Sequence, residues 1–232
     1  MVKIGLWLKA LVPLLVLLLL VVWWLNWTLA RPVGQVAIYG EVRHADLEKL
    51  QQQALPWLDA PFWKVDLAGL KQTLEQDPWL ARVSVSRHWP DQIRLDLDER
   101  VAWSAWNHNG LLDEQGQVFY PASHSDIVTG RQIYAEMDTL AEALKLWETL
   151  EPLLHRQQLV LTELKLEARG AWQLQLNGSV RVVVGRDNIE KRINRFLWAW
   201  QTWLSAEAEN IAGVDLRYPN GLSVAWIQSG RE

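Results

Sequence analysis

The sequence predicts an α+β protein in three parts: an N-terminal transmembrane helix, a β-α-α-β-β domain, and a mainly antiparallel β domain with two or more helices. Three observations predict it. An unbroken apolar run lies near the N-terminus, helical spacing gives way to strict alternation before residue 99, and glycine-centred strand turns follow. The 232 residues, half of them hydrophobic, suffice for about one or two domains. With 23 basic and 27 acidic side chains the formal charge is -4, which offers nothing to nucleic acid. The lack of cysteine excludes a disulfide scaffold, a thiolate zinc site, an iron–sulfur cluster and a cysteine nucleophile.

From Ala10 to Ala30 no residue is ionisable. About 20 such residues are needed to cross a hydrocarbon core of roughly 30 Å. Lys3 and Lys9 precede the run, and Arg31 is the sole charge just after it. Positive charge stays inside, so residues 1–9 form a cytoplasmic tail, residues 10–30 the span, and the bulk of the chain lies beyond the membrane. Trp23, Trp24 and Trp27 would form an interfacial belt. Thr28-Leu29-Ala30 also suits a signal-peptide cleavage site, but the bulky tryptophans and the long apolar run favour an uncleaved anchor.

Residues 33–99 read as β-α-α-β-β. Val36 and Ile38 alternate with other residues up to Gly40, and Leu47, Leu50 and Ala54 recur at helical spacing. Asp66 caps a second helix bearing Leu67, Leu70 and Leu74, which Asp77-Pro78 ends. Val83 and Val85 mark a strand. After Trp89-Pro90, Ile93, Leu95 and Leu97 alternate with Gln92, Arg94, Asp96 and Asp98, so one face is buried and one wet. Two helices on a three-stranded sheet satisfy this pattern.

Residues 100–228 read as a strand meander with helices. Trp103 and Ala105 lead through Asn107-His108-Asn109-Gly110 to Leu111-Leu112, then through Asp113-Glu114-Gln115-Gly116 to Val118 and Tyr120. Pro121 to Gly130 is a surface loop, and Leu140, Ala143, Leu144, Trp147, Leu150 and Leu154 form a core helical stripe. Trp172, Leu174 and Leu176 turn at Asn177-Gly178 and return through Val180, Val182 and Val184. Asp187-Asn188-Ile189-Glu190 resembles a capping box. It opens a helix whose Ile189, Ile193, Phe196, Leu197, Trp200 and Leu204 share a face, with Lys191, Arg192 and Arg195 on a solvated one. A last hairpin runs from Val214 to Tyr218, turns at Pro219-Asn220-Gly221 as a type I turn with a glycine bulge, and returns from Leu222 to Trp226. Little sequence follows to cover that final strand.

No catalytic motif occurs: GxSxG, HExxH, Walker and GxGxxG patterns are absent, and the five histidines never take metal-ligand spacing. Asp96, Asp98 and Glu99 are close in sequence, but strand carboxylates on a wet face usually solubilise. Of the 16 tryptophans, Trp103 and Trp172 alternate as core residues, whereas Trp79, Trp89 and Trp226 stand at element ends as candidate partner anchors.

Several strings, in order, resemble the FtsQ/DivIB family of bacterial cell-division proteins over the length of the chain. Val36-Ala37-Ile38-Tyr39-Gly40-Glu41 resembles the first strand of a POTRA domain. Asp77-Pro78-Trp79-Leu80-Ala81-Arg82-Val83-Ser84-Val85 with Trp89-Pro90-Asp91 resembles its second strand and turn. Glu99-Arg100-Val101-Ala102-Trp103, Gly110-Leu111-Leu112-Asp113-Glu114-Gln115-Gly116, Ala171-Trp172-Gln173-Leu174, Val184-Gly185-Arg186 and Val214-Asp215-Leu216-Arg217-Tyr218 are similar to parts of its β domain.

The resemblance implies a non-enzymatic, single-pass inner-membrane protein of the divisome, enriched at the septum. Its POTRA domain would serve recruitment, and its periplasmic β domain would bind FtsB and, mainly through it, FtsL. It implies no cofactor, metal, nucleic acid or small substrate. Position within the family's partner site implicates Arg169, Arg217, Tyr218, Asn220, Gly221, Leu222 and Trp226. The two arginines would meet partner carboxylates, and Tyr218 and Trp226 partner apolar groups. The residues suit this, because an edge strand presents unpaired backbone donors and acceptors to which a partner can add a strand. The competing readings are a POTRA-bearing secretion or assembly factor and an anchored cell-wall hydrolase.

Overall fold

The computed structural model describes residues 13–24, 31–122 and 129–227. Residues 13–24 form a helix, α1, with every side chain exposed. Among the described residues no helix is long and apolar enough to cross a membrane. The remainder of the expected span, with Trp27 and Thr28-Leu29-Ala30, lies outside the described residues, as do residues 123–128 of the expected Pro121–Gly130 loop.

The chain divides into two compact units between Arg100 and Val101. The first contains β1 (Gln35–Tyr39), α2 (Leu47–Leu58), α3 (Leu67–Leu74), β2 (Leu80–His88) and β3 (Gln92–Glu99). Its sheet order is β1-β3-β2, with β1 parallel and β2 antiparallel to β3. Alternation in β3 buries Ile93, Leu95 and Leu97. Leu95 and Leu97 meet Leu50, Ala54 and Leu74 of the helices around an apolar hollow also lined by Val36 and Ile38. Asp46 and Asp66 cap α2 and α3, each with Oδ1 accepting from two backbone N–H groups of the first turn. The Glu99 carboxylate accepts from the backbone N–H groups of Arg43, His44 and Ala45 at 2.6, 2.6 and 2.8 Å, tying the β1–α2 loop to the end of β3. Trp79 is not a surface anchor: it is 7% exposed and stacks on His44 with centroids 4.6 Å apart. Trp89 stays 79% exposed.

The second unit holds β4 (Ala102–Trp106), β5 (Gly110–Asp113), β6 (Val118–Phe119), β7 (Gln132–Tyr134), α4 (Leu140–His155), β8 (Leu161–Leu166), β9 (Trp172–Leu176), β10 (Val180–Gly185), α5 (Ile189–Thr202), β11 (Ile211–Asp215) and β12 (Ser223–Trp226). They form one nine-stranded sheet in the order β12-β11-β10-β9-β8-β7-β4-β5-β6. The pairs β4–β7, β7–β8 and β10–β11 are parallel, so the sheet is mixed, with antiparallel pairs at both ends. The sequence gives no sign of β7 and β8. They pair with each other in parallel across a helix, and no short turn marks such a pair.

Asn177 and Gly178 supply the positive φ angles, 51° and 71°, of the tight β9–β10 turn. Trp172, Leu174 and Leu176 of β9 and Val180, Val182 and Val184 of β10 pack in one core with Trp147, Leu150 and Leu154 of α4 and Ile193, Phe196 and Trp200 of α5. Both helices therefore cover the same face. Each such aliphatic side chain contributes about 1.5–3 kcal/mol on burial. Trp103 is only half-buried, edge-on to Trp147 at 5.6 Å. The capping box does not form. Asn188 adopts a left-handed conformation, φ 54° and ψ 40°, and its side chain makes no cap bond.

Candidate partner-binding edge

β12 ends the sheet and pairs with β11 alone. Its register, Val214 with Val224 and Asp215 with Ser223, alternates side chains across the two faces. Val224 leans on the core beneath the helices, and Trp226, two residues on, points to the same side with 47% exposure. Ser223 and Ala225 face the opposite side. Among the described residues nothing pairs with the outer backbone of β12.

The final hairpin departs from the sequence reading. The strands are Ile211–Asp215 and Ser223–Trp226, so residues 216–222 are a loop rather than a turn of three. Gly221 does not take the left-handed conformation that a glycine bulge requires; the irregularity falls between Ile211 and Gly213 instead. The cause is Asp215. Its Oδ1 accepts from the backbone N–H of Arg217 at 2.9 Å, a local bond that competes with continued strand pairing. The Arg217 guanidinium then closes on the same carboxylate at 2.7 to 3.1 Å. This hydrogen bond from Arg217, ahead of opposing desolvation, holds the Asp215 carboxyl below its ordinary range, and the Arg217 guanidinium is raised in turn.

Arg195 was expected on a solvated helix face. Instead it reaches 21 to 24 residues along the chain: Nη2 donates to the carbonyls of Leu216 and Tyr218 at 2.8 and 2.9 Å, and Nη1 to that of Pro219 at 2.9 Å. Arg192 donates to the Val184 carbonyl at 2.7 Å. Gly185, at φ 87°, makes room for this crowd, because a Cβ there would come within 2.5 Å of Arg192 Nη1 and 3.1 Å of Arg217 Cγ.

The structure thus gathers Arg217, Tyr218, Asn220, Gly221 and Leu222 into one loop, and a shallow hollow is lined by Tyr218 to Ser223. Tyr218 is 54% exposed, and Leu222 is partly buried against the core. Trp226 stands at the far end of β12, about 10 Å along the strand. Arg169 is exposed in the β8–β9 turn, at the same end of the sheet as the loop. Three strand spacings, about 14 Å, separate β9 from β12, so Arg169 flanks the edge and does not line it. Arg217 is no free cation, since Asp215 already holds it. Sequence reasoning missed Arg192, Arg195 and Asp215. The Asp-x-Arg spacing was a signal available for the last; the contacts of Arg195 leave no local trace. Ile227, 53% exposed beside Trp226, extends the apolar end of the strand. Among the described residues no group of three or more metal-ligating side chains comes together.

A β-α-α-β-β module followed by a large mixed sheet with an open terminal edge describes a two-module protein of the POTRA-containing class. The family model for the POTRA domain, FtsQ-type, matches residues 31–100, and that for cell division protein FtsQ/DivIB, C-terminal, matches residues 101–217. The chain belongs to the FtsQ/DivIB family of cell-division proteins. It is 32% identical over 217 residues to the cell division protein FtsQ of Allochromatium vinosum, a match covering 91% of this chain and 87% of that one. It is similar also to the FtsQ of Neisseria meningitidis serogroup B, 29% identical over 225 residues covering 97% and 94% of the two chains.

Proposed function

We propose that this chain is a non-catalytic adaptor of the division machinery, held in the inner membrane, that binds the periplasmic part of FtsB, and through it FtsL, by strand addition at β12. The observation that carries this reading is the position of β12: a short terminal strand with one neighbour, flanked by an exposed tyrosine at one end and an exposed tryptophan at the other. An added strand would take main-chain bonds from the outer backbone of β12 and side-chain selection from Tyr218 and Trp226. Arg169, Asn220, Gly221 and Leu222 border the same path. Arg217 would act through its pair with Asp215, presenting donors not consumed by that carboxylate.

The anchoring part of the proposal rests on the apolar run Ala10–Ala30 and the charges of Lys3 and Lys9, which favour a cytoplasmic N-terminus with both modules in the periplasm. Residues 33–99 would then serve recruitment to the septum and residues 100–228 partner docking. A pull-down of residues 31–232 with the periplasmic part of FtsB tests the docking. Binding is expected, with loss in Tyr218→Glu and Trp226→Ala. Folded variants that bind as the parent does would remove the edge site. Incubation with peptidoglycan should release no fragments; soluble products would return the hydrolase reading.

A further inference from the structure

We infer that Arg195 is a positioning residue for the docking edge: from α5 its guanidinium fixes the β11–β12 loop in the conformation that presents Tyr218 and sets the start of β12. This deepens the docking reading above and rests on it.

The middle of the loop is not held by buried side chains of its own. Leu216 is buried at its start and Leu222 partly buried at its end, but Arg217, Tyr218, Pro219 and Asn220 are all exposed. Burial therefore pins the two ends and leaves the middle to hydrogen bonds. At Arg217 the bond to Asp215 supplies one. Over the next two residues the carbonyls of Tyr218 and Pro219 turn inward together with that of Leu216 and converge on two guanidinium nitrogens. Three converging carbonyl dipoles would repel one another without a cation between them, so the loop conformation depends on what fills that point. The group filling it stands on a rigid base, because Ile193, Phe196, Ala199 and Trp200 of the same helix are buried in the core.

Guanidinium suits the task for a geometric reason. Its planar fork presents several donors in fixed directions, whereas a lysine ammonium is a point charge on a flexible stem and cannot reproduce the fork. The consequence for binding follows from populations. If the loop without its clamp spends a tenth of its time in the docking conformation, the apparent affinity falls about 10-fold with no contact to the partner altered.

The test uses the full chain in detergent micelles, with amide hydrogen exchange resolved along the sequence and a titration with the periplasmic segment of FtsB. Arg195→Met should speed exchange in residues 216–222, leave α5 and β10 protected, and weaken binding about 10-fold. Arg195→Lys, which keeps charge and stem, should recover part of both effects. It decides the matter alone if the methionine variant does not fold. A loop that exchanges as in the parent, or that loosens while binding stays unchanged, overturns the inference. Trp226→Ala separates the two readings. If it abolishes binding and Arg195→Met does not, only the role of Arg195 is lost; if neither variant affects binding, the docking edge itself is wrong.

Discussion

Arg94–Asp96 and Arg217–Asp215 are the same two residue types at the same spacing, and both close as forked pairs with contacts between 2.6 and 3.1 Å. Their settings differ. Arg94 and Asp96 lie inside β3, the central strand of the small sheet, whose backbone is fixed by a neighbour on each side. Arg217 and Asp215 lie where β11 ends, and there the carboxylate also binds the backbone N–H of Arg217 and stops the strand. In β3 the pair decorates a conformation that hydrogen bonding along the sheet already dictates; at the end of β11 it helps to choose one. Surface ion pairs by themselves contribute little, so the second pair matters through the backbone it directs.

That contrast can be broken or sharpened by experiment. The largest effect should come from the part of β3 that does hold the sheet: Leu95→Ala, at a site 3% exposed, is expected to cost about 2–5 kcal/mol in denaturant unfolding. Next is Trp226→Ala on the edge strand, which should cost folding about 1 kcal/mol or less. It should nevertheless weaken the proposed binding of FtsB by at least about 10-fold, as truncating an aromatic anchor does. Asp215→Asn should loosen residues 216–222 in hydrogen exchange, whereas Asp96→Asn should leave exchange in place and lower Tm only slightly. Equal responses of the two would erase the distinction between the pairs.

Carboxyl titration by NMR gives a finer reading. Both aspartates are held below the ordinary range, first by the hydrogen bond from their arginine. A lowered folded-state value means that the stabilising contribution is complete above the unfolded value, about 4, and is lost as pH falls through the folded one. Arg217→Met should return the Asp215 titration toward ordinary values and leave Asp96 where it is. Smallest of all is Gly221→Ala: a Cβ there meets nothing within 4 Å, so Tm should not change, and a fall in partner binding would show close backbone approach at that residue.

What could be read from the residues was whatever short spacing encodes. The alternation of Ile93, Leu95 and Leu97, the Asp66 cap, the Asn177-Gly178 turn and the stripe from Ile193 to Trp200 are all local patterns with one physical solution each. The errors have a common physical origin too. Strand β11 was read as running to Tyr218 because Val214 and Leu216 alternate, but a side chain two residues from Arg217 took its N–H first. Arg195 was assigned to solvent because its partners are carbonyls of a loop more than 20 residues away, and carbonyls carry no sequence signature. Trp79 was read as an anchor from its place at a strand's end, yet His44, far off in sequence, covers it. Of the proposed site residues, the loop cluster and the edge strand share one neighbourhood, while Arg169 comes near only through three intervening strand spacings.

The pairing of β11 alongside β10 has a consequence for the chain as it emerges from synthesis. Val180-Arg181-Val182-Val183-Val184 is rich in β-branched residues, contains no proline, and is completed before the segment that shields its flank has appeared. Such a stretch, left bare, invites self-association. The closing strands end the sheet in a shorter and less β-branched sequence, Ser-Val-Ala-Trp, opposite a glycine irregularity. A chain cut back ahead of Ile211 would therefore lose more than the proposed docking strand: it would uncover the valine-rich edge of β10 and be expected to form aggregates rather than a silent, folded remnant.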